Sequence, residues 1–161
     1  MIAVDTSALM AIVLNEPEGD TCAAALEAED ELLISAGTVA EALIVSARRN
    51  VGEEVAALID ELGFDVVEVT VASARRIAQA YEKWGKGVHP AALNFGDRFA
   101  YEGAKQRGCR LLYVGHDFSQ TRAFFRRSLR AKLAGSEHGT VRPRRVNVAI
   151  GRRCGYPLER S

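Results

Sequence analysis

Four short apolar runs recur along the chain, each too short for a helix and each followed by turn or helix-capping residues. Residues 2–4 (Ile-Ala-Val), 32–34 (Leu-Leu-Ile), 66–69 (Val-Val-Glu-Val) and 111–114 (Leu-Leu-Tyr-Val) predict strands. Between them the apolar positions change to helical spacing. Thr6 and Ser7 predict a cap before a helix over 8–14, and the Asn-Glu-Pro-Glu-Gly stretch at 15–19 breaks the chain. A second helix is expected at about 20–29. Val39, Leu43 and Ala47 predict a third that begins within 35–38 and runs to about residue 49, with Glu41 near its first turn. Val55, Leu58, Ile59 and Leu62 form an amphipathic stripe ending at Gly63. Ala74, Ile77, Ala78 and Tyr81 share a face of a helix over 72–84, and the Gly/Pro-rich residues 85–90 read as a loop. A last helix starts near Phe95, with Phe99, Ala100 and Ala104 inward and Gly108 at its end. Strands alternating with helices in this order call for an α/β fold with a mainly parallel central sheet.

In such sheets ligands sit beyond the carboxyl ends of the strands. Four acids fall there or on helices that begin there: Asp5, Glu41, Asp97 and Asp117, each embedded among core-forming residues. Two carboxylates about 4 Å apart repel by about 4 kcal/mol at an effective dielectric near 20. A pocket of four therefore calls for a cation. Oxygen donors with no Cys or His in the set suit Mg²⁺, or Mn²⁺, better than Zn²⁺. The chemistry this implies is metal-assisted phosphodiester hydrolysis. Asp65, Glu68 and the acidic run at 27–31 lack the apolar setting and read as solvated surface.

Composition narrows the picture. The 161 residues suffice for a domain with its own core, and 48% apolar with 26% charged residues is an ordinary globular balance. No apolar run approaches the ~20 residues of a membrane span. No basic segment followed by a long apolar one opens the chain, so no secretory signal is expected. Cys22, Cys109 and Cys154 are far apart, which encodes neither a disulfide framework nor a zinc site. The expected compartment is the cytoplasm. The zero net charge hides a break: residues 1–121 carry a balance of −9 and residues 122–161 a balance of +9. This divides the chain into an acidic domain, 1–121, and a basic C-terminal extension, 122–161, irregular or partly helical.

At the four acids the sequence resembles the PIN-domain family, specifically VapC-type toxins of bacterial toxin–antitoxin pairs. The segments that carry the resemblance are Val4-Asp5-Thr6-Ser7-Ala8-Leu9, Thr38-Val-Ala-Glu41-Ala-Leu43, the stretch from Tyr81 to Pro90, Leu93-Asn94-Phe95-Gly96-Asp97-Arg98-Phe99-Ala100-Tyr101, and Gly115-His116-Asp117-Phe118-Ser119-Gln120-Thr121. The resemblance implies a PIN-like α/β/α sandwich and Mg²⁺-dependent RNA cleavage. It also implies neutralisation by a VapB-type antitoxin whose C-terminal segment enters the active-site groove, and a possible homodimer. It assigns Asp5, Glu41, Asp97 and Asp117 as the acidic set. Asp5 and Asp97 would be the metal ligands, and Glu41 and Asp117 would act directly or through water. Thr6 or Ser7 would orient Asp5. After Thr121 the chain departs from the family: Arg122 stands where relatives often carry Asp, and strand periodicity is lost. An altered reading frame or a fusion would account for that end.

Other residues have plainer readings. Lys86 and His89, in the loop before Asp97, are candidates for RNA phosphate, against a solvated loop. Asn94 fixes that loop or simply caps a helix. Arg98 reads as an ion-pair partner of Asp97, and Tyr81, Trp84 and Phe99 as core or dimer-face residues. No P-loop, dinucleotide fingerprint or nucleophile elbow is present. Ser7 stands where a haloacid-type phosphatase needs a second Asp, and the acidic pair of a receiver domain is missing. The expected function is a Mg²⁺-dependent ribonuclease toxin. The alternative is a catalytically impaired module on the same fold that binds RNA or an antitoxin without turnover.

Overall fold

The first strand, β1 (Ile2–Val4), is buried along its whole length and pairs with a strand on each side. In the computed structural model, which describes residues 1–118 and 121, its neighbours are β2 (Leu32–Ser35) and β4 (Arg110–Leu112). The third strand, β3 (Asp65–Val67), lies outside β2, so the order is β3-β2-β1-β4. All three pairings are parallel, with Ala3 opposite both Leu33 and Leu111. A parallel sheet covered on both faces needs apolar side chains on both, which explains the unbroken Ile-Ala-Val run.

Among the described residues six helices cover the sheet: α1 (Thr6–Val13), α2 (Gly19–Glu27), α3 (Ala36–Arg48), α4 (Gly52–Leu62), α5 (Val71–Trp84) and α6 (Asp97–Arg107). Alternation along the strands splits the core in two. Val4, Ile34, Leu9, Ala42, Val55 and Leu58 pack on one face. Ala3, Leu33, Trp84, Leu93, Ala100 and Phe118 pack on the other. The result is the expected α/β/α sandwich. Gly63 and Gly108 end α4 and α6 in the left-handed region, both at φ 60°, where a side chain would be strained. The extension predicted at 122–161 lies outside the described residues, as does the reading of its end as a frame change or fusion.

Several elements differ from the periodicity. The buried stripe of α3 is Thr38, Ala42 and Ser46, while Leu43 and Ile44 face outward. Small residues let α3 approach its neighbours closely, and Ser46 Oγ satisfies itself on the Leu43 carbonyl at 3.1 Å. On α5 the buried face is Ser73, Ile77, Ala80 and Trp84, leaving Ala74, Ala78 and Tyr81 exposed. The Trp84 indole sets that face, since its Nε1 donates to Tyr101 Oη at 3.1 Å inside the core. The third strand stops at Val67 because Thr70 caps α5, accepting from Ser73 N at 3.2 Å. The fourth stops at Leu112, and Val114 N donates instead to Ser7 Oγ at 3.0 Å.

Candidate functional site

Asp5 follows β1 directly and caps α1; Thr6 and Ser7, expected as caps, lie inside the helix. Its two oxygens have different surroundings. Oδ2 accepts from Ser7 N at 3.0 Å and from Ser7 Oγ at 2.6 Å. Oδ1 is buried and has no hydrogen-bond partner. Through Ser7 Oγ, which also accepts from Val114 N, the cap ties the end of β1 to the segment after β4. Burial raises the Asp5 pKa, the Ser7 bonds oppose it, and the charge of Asp117 adds to the rise.

The Thr6 hydroxyl does not orient Asp5. Its Oγ1 donates to Glu41 Oε2 at 2.8 Å, so it holds the acid of α3 instead. Glu41 sits in the second turn of α3, beyond the first turn expected. Its carboxylate lies against Gly96, where any Cβ would collide with it. Burial raises the Glu41 pKa, Thr6 opposes, and Asp5 adds to the rise.

Asp97 opens α6, two residues later than the helix start expected near Phe95. The delay comes from Asn94, whose Oδ1 accepts from Gly96 N at 2.7 Å and Asp97 N at 3.0 Å. Asp97 Oδ2 in turn accepts from Asn94 N at 2.6 Å, a reciprocal arrangement like a capping box. Burial is the main cause that pushes the Asp97 carboxyl up to about 7; the Asn94 bond opposes it, and Asp5, Asp117 and Glu41 all raise it. Asp117 lies exposed in the turn after β4.

The four acids therefore act on one another across the carboxyl edge of the sheet. Among the described residues they do not close into a ready-made cage of three or more ligands. They form an open acidic field with one unpartnered inner oxygen, on Asp5. Hard oxygen donors, mutual repulsion and that orphan atom fit a divalent cation of the Mg²⁺ or Mn²⁺ kind.

Lys86 and His89 are not gathered into this field by any described contact. His89 Nδ1 accepts from Ala91 N at 3.0 Å, and its ring stands edge-on to Trp84 at 4.7 Å, which folds its own loop. Lys86 is exposed, with its N–H bonded to the Leu93 carbonyl at 3.2 Å. Arg98 does not pair with Asp97: its guanidinium stacks over the Tyr81 ring at 4.3 Å. Gly96 escaped sequence reasoning; a glycine directly before an acid was the available signal. A cavity of about 440 Å³ opens at the opposite edge of the sheet, beside Met1, Glu29, Asp65 and Arg107. It holds none of the four acids, and four of its charged groups form pairs, Met1 N with Glu29 at 2.7 Å and Arg107 with Asp65 at 3.3 Å.

Comparison with known proteins fits this geometry. The family described as PIN domain matches residues 2–123. The chain belongs to the PIN-domain family. Its PIN domain is 38% identical over 123 residues to the VapC ribonuclease Mb0640 of Mycobacterium bovis, covering 74% of this chain and 94% of that protein. It is 42% identical over 128 residues to ribonuclease VapC36 of Mycobacterium tuberculosis, covering 76% and 91%. Among solved structures, the PIN fold is shared with Mycobacterium tuberculosis VapC20, described as a Sarcin-Ricin loop cleaving toxin. That match has a TM-score of 0.61 at 17% identity and covers 74% of this chain and 93% of that one. A toxin–antitoxin complex from Klebsiella pneumoniae matches with a TM-score of 0.60 at 16% identity, covering 80% and 98%. The VapC-type resemblance thus stands on close relatives as well as on motifs. Among the described residues no helix is long and apolar enough to cross a membrane.

Proposed function

We propose that this PIN domain is a metal-dependent endoribonuclease, the toxin of a type II toxin–antitoxin pair, acting in the cytoplasm. The observation that carries the reading is the buried, unpartnered Oδ1 of Asp5, which shares an electrostatic field with Asp97 and Asp117. Asp5 and Asp97 would hold the ion, Mg²⁺ or Mn²⁺, and Glu41 and Asp117 would assist directly or through water. Such an ion would supply Lewis acidity toward the scissile phosphate and ease deprotonation of the water that attacks it. Ser7 fixes the Asp5 carboxylate, Thr6 fixes Glu41, and Asn94 fixes Asp97. A carboxylate of Glu41 or Asp117 accepts the proton released as water attacks phosphorus. The P–O3′ bond breaks and the departing 3′ oxygen takes a proton from solvent, so the products carry 3′-hydroxyl and 5′-phosphate ends. The antitoxin is of VapB type, a partner supported by the toxin–antitoxin complex of similar fold.

The open spacing of the acids favours a second reading, a module that binds RNA or an antitoxin without turnover. One experiment separates the two. Structured RNA incubated with the chain and Mg²⁺ should be cleaved, and cleavage should vanish with EDTA and in Asp5→Ala. Cleavage that survives both treatments refutes the mechanism. Ion binding without product establishes the second reading.

A further inference from the structure

The turn that carries Asn94 and Asp97 also carries an aromatic ring that the acidic site does not use. Phe95 is 67% exposed, although the residues on either side of it are tied into the site. Asn94 N holds Asp97, and Gly96 lies under the Glu41 carboxylate. Nor is the ring loose. It stands edge-on to Phe99, with centroids 5.0 Å apart and planes at 83°. Phe99 in turn covers Gly37 of α3 so closely that a Cβ there would strike the ring. Arg98 lies over the Phe95 ring, its guanidinium 5.3 Å from that centroid and 4.3 Å from the centroid of Tyr81. Arg98 Nε is fixed on the Asn94 carbonyl at 2.8 Å. Among the described residues Arg98 enters no ion pair.

An exposed aromatic ring next to a fixed guanidinium is how proteins hold an unstacked base and its backbone. The acidic edge repels a polyanion, so a cation beside it has a defined use. On the ribonuclease reading above, we propose that Phe95 and Arg98 form a platform for the single-stranded nucleotide next to the scissile phosphate. Phe95 stacks on the base, Arg98 meets the backbone, and Tyr81 braces Arg98 from behind. Every base has a π face, so the platform positions RNA with little sequence preference.

The test separates binding from cleavage. In an Asp5→Asn background, Phe95→Trp places an exposed indole on the platform. Titration with a single-stranded oligoribonucleotide should quench its fluorescence, and the same strand with abasic sites should not. In the otherwise unchanged chain, Phe95→Leu should raise KM for RNA about tenfold and leave kcat within about twofold, and Phe95→Tyr should restore KM. Arg98→Gln should raise KM as well and weaken its dependence on salt. Equal KM for Phe95→Leu, RNA binding without quenching, or no RNA binding overturns the platform. So does quenching that follows protein concentration alone while Phe95→Leu turns a dimer into a monomer, because a second copy then covers the ring. Quenching by RNA that no form of the protein cleaves counts against the ribonuclease reading and leaves the platform standing.

Discussion

Asp97 shows what the site demands of a single residue. Its carboxyl is raised from 3.8 to about 7, first by burial and then by the surrounding acids. Below about pH 4 it is protonated in folded and unfolded chains alike and costs nothing. Between about 4 and 7 the folded chain keeps a proton that the unfolded chain has released. Stability therefore falls as pH rises through that window and stays lower above it. In EDTA we expect a loss on the order of a few kcal/mol between pH 4 and pH 8. Asp97→Asn should flatten the profile and raise Tm at pH 8 while abolishing cleavage. An Asn variant less stable than the parent at pH 8 contradicts this. That these four acids come close enough to act on one another could be read from sequence, because acids amid core-forming residues are unusual. Their helpers could not. Thr6 and Ser7 are adjacent and chemically alike, and only the helix phase decides which one faces Asp5 and which faces Glu41.

At the scale of elements, sequence periodicity located every described strand and helix but misjudged two buried faces. For α3 the spacing of large residues pointed to Val39, Leu43 and Ala47, whereas close helix packing selects the small Thr38, Ala42 and Ser46. For α5 one large indole fixes the rotation. The α5–α6 contact also contains a pair that no periodicity reveals. Arg76 bonds the buried Glu102 and, at 3.3 Å, Gln106. The other oxygen of Glu102 is buried without a partner. Removing the guanidinium leaves a buried charge, so Arg76→Ala should destabilise by about 2–3 kcal/mol, read as a lower denaturant midpoint at unchanged m. Adding Glu102→Gln should recover part of that loss. Additive losses from the two changes would show that the pair is not coupled.

At the scale of the whole molecule, four carboxylates drawn from segments far apart in sequence are held by folding on one edge of the sheet, against their own repulsion. An ion that relieves this binds the folded chain alone and must stabilise it by linkage. At pH 8, free Mg²⁺ or Mn²⁺ at about 100 times its Kd should add about 2.7 kcal/mol. EDTA should remove the gain, and Asp97→Asn should never show it. A Tm indifferent to both ions would leave the acids without a cation to hold. The fold class was accessible from the order of elements because parallel sheets leave few arrangements. The open spacing of the acids was not, since it depends on how far α3 and α6 stand from the end of β1.

The split between the two oxygens of Asp5 has a further consequence. One completes the architecture, by capping α1 and anchoring the segment after β4; the other is left for chemistry. An asparagine there keeps the first and forfeits the second. Loss of the ion-facing oxygen and loss of the fold are thus separable by exchanging one atom. On the toxin reading proposed above, a copy carrying that exchange would be a harmless decoy that still takes up the antitoxin.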